Sequence, residues 1–265
     1  MNHSVEKAVS ILKLVANSQS GMTISEISQA LKIPKSSVFD IVHTLRQTGF
    51  LEIDSERLHT YRLGLEAFSV GYSYFRKLDI CEISRPILTK LRDESGDTVF
   101  LAVRNGTSHI AYVMKLISES PLQTTSDVGS VSDLLKTGLG KAILSAMEDE
   151  EALSCVTDEM IEECNNPIIS DRDSLVKYLN DTRNLGYAVD RGTDISSLIS
   201  SVAAPILNSE NKVVAAISNV TFLESMSEER REILGTKINT AAFEISKRLG
   251  YLGENLFAYV MKTDK

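Results

Sequence analysis

The sequence predicts an α+β protein with an N-terminal winged helix-turn-helix and a C-terminal domain in which helices flank an antiparallel sheet. Three amphipathic helical patterns precede a hairpin pattern within the first 63 residues. A second hairpin signal follows at residues 98–115, and more strand candidates alternate with helical stretches until a long final helix. At 265 residues the chain is long enough for two domains, each with its own core.

Apolar spacing and end signals predict the first three helices. The apolar stripe of the first helix consists of Val5, Ala8, Val9, Leu12, Val15 and Ala16. Thr23 can cap a second helix, whose predicted inner face is Ile24, Ile27, Ala30 and Leu31. Pro34 suits a helix start, so the third helix follows it and ends near Gly49. Its predicted inner face is Val38, Ile41, Val42 and Leu45.

A small hairpin and a connecting helix follow. The segment FLEIDSERLHTYRLG, residues 50–64, has two short β-rich runs around a polar turn, which predicts the wing. Apolar residues then recur every three or four positions from Leu65 to Phe75, as in a helix that packs on a partner. We expect a winged helix-turn-helix domain at 1–63, a linker helix at 64–78 and a second domain at 79–265.

The second domain mixes strands and helices. Val99, Leu101 and Val103 alternate before a turn at Asn105-Gly106, which predicts a hairpin returning along residues 110–113. Helices are predicted at 83–91, from 138 onward, at 171–185 before Gly186, and at 227–249. YAVD, ISSVAAPIL and KVVAAISNVTF are strand candidates. The acidic run at 147–163 predicts a solvated helix without assigned chemistry.

Charge is unevenly distributed along the chain, whose formal net charge is -8. Seven basic and six acidic residues lie in residues 1–62, which leaves +1 there and -9 on the remainder. An acidic bulk repels polyanions, so a DNA-binding segment here needs a well-shaped local surface and more than one copy. No apolar run approaches the roughly 20 residues that span a bilayer, and the first residues lack a signal-peptide core, so we expect a cytoplasmic protein with no membrane partner.

The third helix is the candidate DNA-binding element. Its exposed face is predicted to hold Lys35, Ser36, Ser37, Phe39, Asp40, His43, Thr44, Arg46 and Gln47. Small hydroxyls at a helix start can bind phosphates or base edges, basic side chains can neutralise phosphates, and Asp40 can accept from a cytosine amino group. Arg57 or His59 in the wing is expected to touch the backbone or minor groove. The alternative is a three-helix packing unit or a winged helix used for protein contacts.

The segment KTGLGKAILSAM, residues 136–147, resembles a phosphate loop but departs from it. Leu135 stands where the first glycine belongs, and Ala142 replaces the magnesium-binding hydroxyl. What remains is a Gly-rich helix start, which can hold a small anion such as a carboxylate or can serve close packing against a strand. Spacing alone leaves both interpretations open.

Signals for catalysis or metal binding are missing from the sequence. The four histidines are scattered, the three cysteines Cys81, Cys155 and Cys164 show no paired spacing, and no nucleophile elbow is present. We therefore expect no catalytic residue, no metal and no cofactor. Two alternatives remain: an enzyme whose catalytic Cys or Asp lies in a pocket without a recognisable sequence motif, and a protein-interaction module.

Several motifs in order resemble the isocitrate lyase regulator (IclR) family of bacterial transcription factors. They are SVEKAVSILKLV, ISQALKIPKSSVFDIVHTLRQTGFLE, YRLG, SGDTVFLAV, TGLGKAILS, GYAVD, VAAPI and VVAAIS. The resemblance implies a winged helix-turn-helix, a linker helix used in dimerisation and a C-terminal effector domain related to GAF folds. It also implies homodimers or tetramers on palindromic operators in double-stranded DNA, here expected to act as a repressor, with small organic or aromatic acids as effectors.

The resemblance also implies effector contacts. By position they are Gly138, Leu139, Asp190, Ser201 and Ser218. Ser201 stands where the family often has Cys, Val220 where a second Ser often occurs, and Leu139 is bulkier than usual, so we expect a smaller or less polar pocket than one for the simplest keto acids. Phe39 and Asp40 replace the common His and Arg, so we expect a different operator.

Overall fold

The computed structural model describes residues 3–18, 20–55, 59–75, 79–118, 126–164, 166–191, 198–258 and 260. The chain forms two compact units, Met1–Leu78 and Asp79–Lys265. Among the described residues, none of the helices combines the length and apolar character needed to cross a bilayer.

The first unit has the predicted winged helix-turn-helix. Its elements are α1 His3–Ala16, α2 Ile24–Leu31, α3 Lys35–Gln47, β1 Leu51–Ser55, β2 Thr60–Leu63 and α4 Leu65–Phe75. Strands β1 and β2 pair antiparallel, with Leu51 opposite Leu63 and Ile53 opposite Tyr61. The apolar core is formed by Ile11, Val15, Ile27, Ile33, Val38, Val42 and Leu51.

Two details of the predicted apolar faces are wrong. In α1, Val5 and Val9 are exposed, and Ile11, which the predicted stripe omitted, is buried together with the predicted Val15. In α2, Ala30 is exposed while Ile27 is buried. Both errors have one cause: spacing gives the period of a helix, but the partner decides which part of a broad apolar stripe is covered.

Local hydrogen bonds fix both ends of α2 and the turn that leads into α3. Thr23 and Glu26 form a capping box at the start of α2, and these bonds lower the pKa of Glu26. Lys32 ends α2 in the left-handed conformation, with φ of 53°. Ser28 Oγ then donates to the carbonyl of Ile33 at 2.7 Å. The left-handed Lys32 and the Ser28 hydrogen bond set the entry of the chain into α3.

The second unit is an α+β domain around one sheet. Its helices are α5 Asp79–Ser95, α6 Gly138–Ser145, α7 Asp149–Ser154, α8 Asp158–Glu162, α9 Arg172–Leu185 and α10 Glu228–Arg248. Its strands are β3 Thr98–Asn105, β4 His109–Leu116, β5 Val131–Asp133, β6 Ala188–Arg191, β7 Ile199–Leu207 and β8 Val213–Phe222. The acidic run forms two helices rather than one, because Thr157 caps a new start at α8.

The sheet is antiparallel, in the order β5-β4-β3-β8-β7-β6. Helix α6 packs on β7 and β8, and α10 also packs on β7. Side chains alternate between faces along a strand, so Ser201 and Ala203 face α6 whereas Val202 and Ala204 face away from it. The sheet therefore lies between α6 and α10, and α9 packs on the outside of α6.

Candidate functional site

Helix α3 presents the predicted polar face to solvent. Its buried side chains are Val38 and Val42, with Ile41 and Leu45 partly buried. Ser37 is half-buried, and the other predicted DNA contacts on α3 are exposed: Lys35, Ser36, Phe39, Asp40, His43 and Arg46. The rings of Phe39 and His43 stack with centroids 6.2 Å apart. Arg57 lies outside the described residues, and His59 is exposed.

The start of α3 is open to an anion. Pro34 occupies the cap position and makes no side-chain hydrogen bond to the helix, and the first turn holds no acidic residue. The first-turn N–H groups therefore keep their capacity to bind a phosphate. Neither Lys35 nor Arg46 forms an ion pair with any residue in the described part of the chain, whereas Arg62 in the wing is held by Glu52 and Asp54.

In the second unit, the start of α6 meets strands β6 and β7. Thr137 caps α6 by accepting the N–H of Gly140 at 2.9 Å. A Cβ added to Gly138 would lie 2.7 Å from Ser201 Oγ and 3.5 Å from Asp190 Cβ. Asp190 and Ser201 are directly opposite each other in the sheet. Gly138, Asp190 and Ser201 thus form one cluster.

Ser218 belongs to the same face of the sheet. It pairs with Ala203, which is two residues from Ser201 along β7, so both serines point toward α6. Leu139 is different, because its side chain is buried in the apolar cluster and only its backbone N–H remains at the helix start. The predicted effector contacts Gly138, Leu139, Asp190, Ser201 and Ser218 are called the candidate ligand site, or ligand site for short.

The two serines of the ligand site are largely buried and have no hydrogen-bond partner in the described part of the chain. Ser201 is 8 % exposed and Ser218 is 2 % exposed, yet neither hydroxyl forms a hydrogen bond within the described ranges. The neighbouring Ser200, which points the other way, donates to the carbonyl of Asp190 at 2.6 Å. Neither hydroxyl oxygen is among the fully buried atoms that lack a partner in the described ranges, so both reach the space beside the start of α6, where they can donate to a bound polar group.

The two glycines of α6 have separate roles, which spacing could not distinguish. A Cβ on Gly140 would collide with the carbonyl of Leu134, so this glycine serves close packing. Gly138 faces polar side chains of the ligand site instead. The packing interpretation therefore holds for Gly140, and the anion-binding interpretation stays a prediction for Gly138.

Lys141 is a further member of the cluster that sequence reasoning missed. It is fully buried, and its Nζ lies 3.9 Å from Asp190 Oδ1. A buried ammonium group needs a compensating charge, and Asp190 supplies one. The available signal is the position of Lys141 three residues after Gly138, one turn along the same helix face.

Aromatic side chains complete the surroundings of the site. Tyr112 packs edge-on against Phe100, with ring centroids 5.5 Å apart. Burial raises the pKa of Tyr112, a hydrogen bond with Ser126 opposes this, and the negative charge of Asp190 raises it further. The electrostatic effect indicates that the phenol lies near the carboxylate. In the described part of the chain, no group of three or more His, Cys, Asp or Glu could hold a metal ion.

Both units match models of one protein family. Residues 4–55 match the IclR helix-turn-helix domain, and residues 72–247 match the C-terminal domain of bacterial IclR transcriptional regulators. The HTH-type transcriptional repressor AllR of Escherichia coli K12 is 30% identical over 247 residues, which cover 93% of this chain and 90% of AllR.

Solved structures share the fold along nearly the whole chain. The Thermotoga maritima IclR matches with a TM-score of 0.77 and 25% identity, covering 95% of this chain and 100% of that one. An IclR homolog from Microbacterium hydrocarbonoxydans, complexed with 4-hydroxybenzoate, has a TM-score of 0.77 and 20% identity, covering 93% and 98%. With both family models matched in order, the chain belongs to the IclR family of bacterial transcriptional regulators.

Proposed function

We propose that this regulator is a repressor whose DNA affinity is set by a small organic or aromatic acid bound at the ligand site. The observation that carries the proposal is the pair of largely buried serines beside the start of α6 whose hydroxyls have no hydrogen-bond partner in the described part of the chain. Carboxylate oxygens accept hydrogen bonds, and the hydroxyls of Ser201 and Ser218 and the N–H groups of Gly138 and Leu139 are donors. Each donor gains a partner when an acid binds.

The Lys141–Asp190 pair makes this site compatible with an anion. Asp190 alone would repel a carboxylate, but the ammonium group of Lys141 at 3.9 Å offsets its charge. The Asp190 carboxylate is then an acceptor for a hydroxyl or N–H on the same ligand. The neighbouring Phe100 and Tyr112 rings favour an aromatic or otherwise apolar body. The Microbacterium relative bound to 4-hydroxybenzoate supports this ligand class.

On the DNA side, we propose major-groove contacts by Lys35, Ser36, Ser37, Phe39, Asp40, His43 and Arg46, with Arg57 touching the backbone from the wing. Lys35 and Arg46 are the candidate phosphate contacts because both are exposed and without a described ion-pair partner. The name of the AllR relative supports repression. As a regulator of bacterial genes, the protein is proposed to act in the cytoplasm.

A dimer or tetramer is proposed because one unit offers few phosphate contacts. Helix α4 exposes Leu65, Phe68 and Val70, which are 73%, 64% and 56% accessible in the single chain. Exposed apolar side chains this close together favour association with a second copy. Two linked DNA-binding units raise the effective concentration of the second, which suits a palindromic operator. The acid must bind two conformational states of this assembly with unequal affinity, since equal affinity would leave the equilibrium between the two states unchanged.

Selection of bound fragments from sheared genomic DNA of the source bacterium tests the proposal. The purified chain, at near-physiological salt, is expected to enrich one palindromic site. Adding 4-hydroxybenzoate or a small keto acid is expected to release it. Retention that depends only on salt and not on sequence, in the presence and absence of the acids, would overturn the proposal.

A further inference from the structure

Asp40 occupies the centre of the outward face of α3. Successive residues of an α-helix are rotated by about 100°, so Asp40 lies roughly 200° from Val38, which is fully buried. The same rotation places Ser36, His43 and Gln47 beside it. Lys35 and Arg46 are different, because they fall about 60° and 80° from Val38, together on one flank. The two cations therefore suit one phosphate strand, while Asp40 points where the groove floor would be.

The carboxylate of Asp40 is unpaired in the described part of the chain. It is exposed, and neither Lys35 nor Arg46 reaches it, since one is five residues before it and the other six after it. A free negative charge at the centre of a DNA-binding face opposes the polyanion. This cost falls on every DNA sequence alike, unless one base offers a compensating donor.

Cytosine is the base that fits this requirement. In the major groove, guanine presents two acceptors, thymine presents an acceptor and a methyl group, and adenine presents an acceptor beside its amino donor. Cytosine presents its N4 amino donor with no acceptor on its own edge. A carboxylate is an acceptor only. The cytosine amino group has an acceptor on one side, O6 of the paired guanine, whereas the adenine amino group lies between two acceptors, adenine N7 and thymine O4, so cytosine repels the carboxylate least.

We propose that Asp40 is a specificity-determining residue that recognises one cytosine in each half-site and discriminates against all other DNA by charge repulsion. This inference rests on the proposed DNA-binding role of α3 and adds the base that one of its residues selects. Asp40 therefore lowers general DNA affinity and raises the ratio of specific to non-specific binding.

The substitution Asp40→Asn gives the sharpest test because it is nearly isosteric and changes the preferred base. An Asn amide pairs with the N6 and N7 atoms of adenine. Binding-site selection with the full-length wild-type chain and with Asp40→Asn is expected to show a C·G pair replaced by an A·T pair at one position of each half-site. Each protein should favour its own base pair there by about tenfold. Asp40→Ala should lose preference at that position alone.

Glu6→Gln on α1 is the matched control. It also removes one exposed negative charge from the first unit, so affinity for unrelated DNA should rise for both variants. Only Asp40→Asn should alter base preference. A wild type that selects a site, with an Asp40→Asn variant that selects the same base at every position, would overturn this inference and leave the regulator proposal standing. A wild type that selects no site would overturn both.

Discussion

Gly138 and Ser201 approach so closely that a single methyl group on the glycine would lie 2.7 Å from the serine hydroxyl oxygen. The contact joins the start of helix α6 to strand β7, and the two residues are more than sixty positions apart in the chain. Because Gly138 lacks a side chain, its backbone N–H and the hydroxyl of Ser201 can act on one small ligand. The proposed ligand site needs the Gly138 N–H and the Ser201 hydroxyl to be this close.

Gly138→Ala is expected to lower acid affinity with little effect on folding. The added Cβ meets a hydroxyl that can rotate away, so the free energy of unfolding should change by less than about 1 kcal/mol. The displaced hydroxyl no longer faces the ligand, and affinity should fall by about tenfold, corresponding to one lost hydrogen bond of about 1.4 kcal/mol. Calorimetric titration with the acid and urea unfolding measure the two effects, and unchanged acid affinity would contradict the assignment.

Removal of the two unpartnered hydroxyls should be nearly neutral for stability. Ser201→Ala and Ser218→Ala remove no protein hydrogen bond within the described ranges, so each should alter the free energy of unfolding by less than about 0.5 kcal/mol while weakening acid binding. Ser246→Ala is the control, since its buried hydroxyl accepts from Leu207 N at 3.0 Å and donates to Ala242 O at 2.7 Å.

The control should lose about 1–2 kcal/mol of stability and keep its affinity for the acid. Chemical denaturation of all three variants, with and without ligand, separates the two behaviours. If Ser201→Ala proves as destabilising as Ser246→Ala, its hydroxyl has a structural role instead.

Lys141 and Asp190 should show strong energetic coupling. Lys141→Met leaves a carboxylate beside an apolar chain and is expected to cost about 3 kcal/mol, because one partner of a buried ion pair has been removed. The double variant Lys141→Met/Asp190→Asn should recover part of that loss. A double-mutant cycle from urea unfolding measures the coupling, and additive losses would show that the two charges do not interact.

Arg46→Ala is expected to weaken binding to every DNA sequence by a similar factor. If Arg46 neutralises one phosphate, the slope of log affinity against log salt concentration should decrease by about one. Arg248→Ala is the control, since Arg248 lies on α10 and is paired with Glu244. An unchanged slope for Arg46→Ala would remove Arg46 from the phosphate contacts.

The elements with strong local signals were predictable. Thr23, Pro34 and Gly49 mark ends of α2 and α3, and Gly186 ends α9 in the left-handed conformation with φ of 88°. Each signal acts through the residue's own backbone or, for Thr23, through a side-chain bond to Glu26 three residues later, so no tertiary partner is needed to interpret it. The hairpin of β3 and β4 is confirmed for the same reason, with Asn105 paired to His109.

Features that depend on distant partners were less accessible from sequence. Ile11 and Val9 are equally apolar members of α1, and only packing decides that the first is buried and the second exposed. The ion pair of Lys141 with Asp190, nearly fifty residues later, forms only when the fold brings the two together, so no local sequence pattern indicates it. The ligand-site residues were predicted from family resemblance. The antiparallel register of β6, β7 and β8 explains why Asp190, Ser201 and Ser218 lie together on one face of the sheet.

The most direct test of the account measures whether the ligand site controls DNA binding. Fluorescence anisotropy of the selected palindromic fragment is followed while 4-hydroxybenzoate or a small keto acid is added to the wild-type chain and to Gly138→Val. The account predicts that an acid weakens DNA binding of the wild type by about tenfold, while the variant binds DNA equally well and does not respond. An equal response of both proteins, or no response of the wild type to any acid of this class, would contradict it.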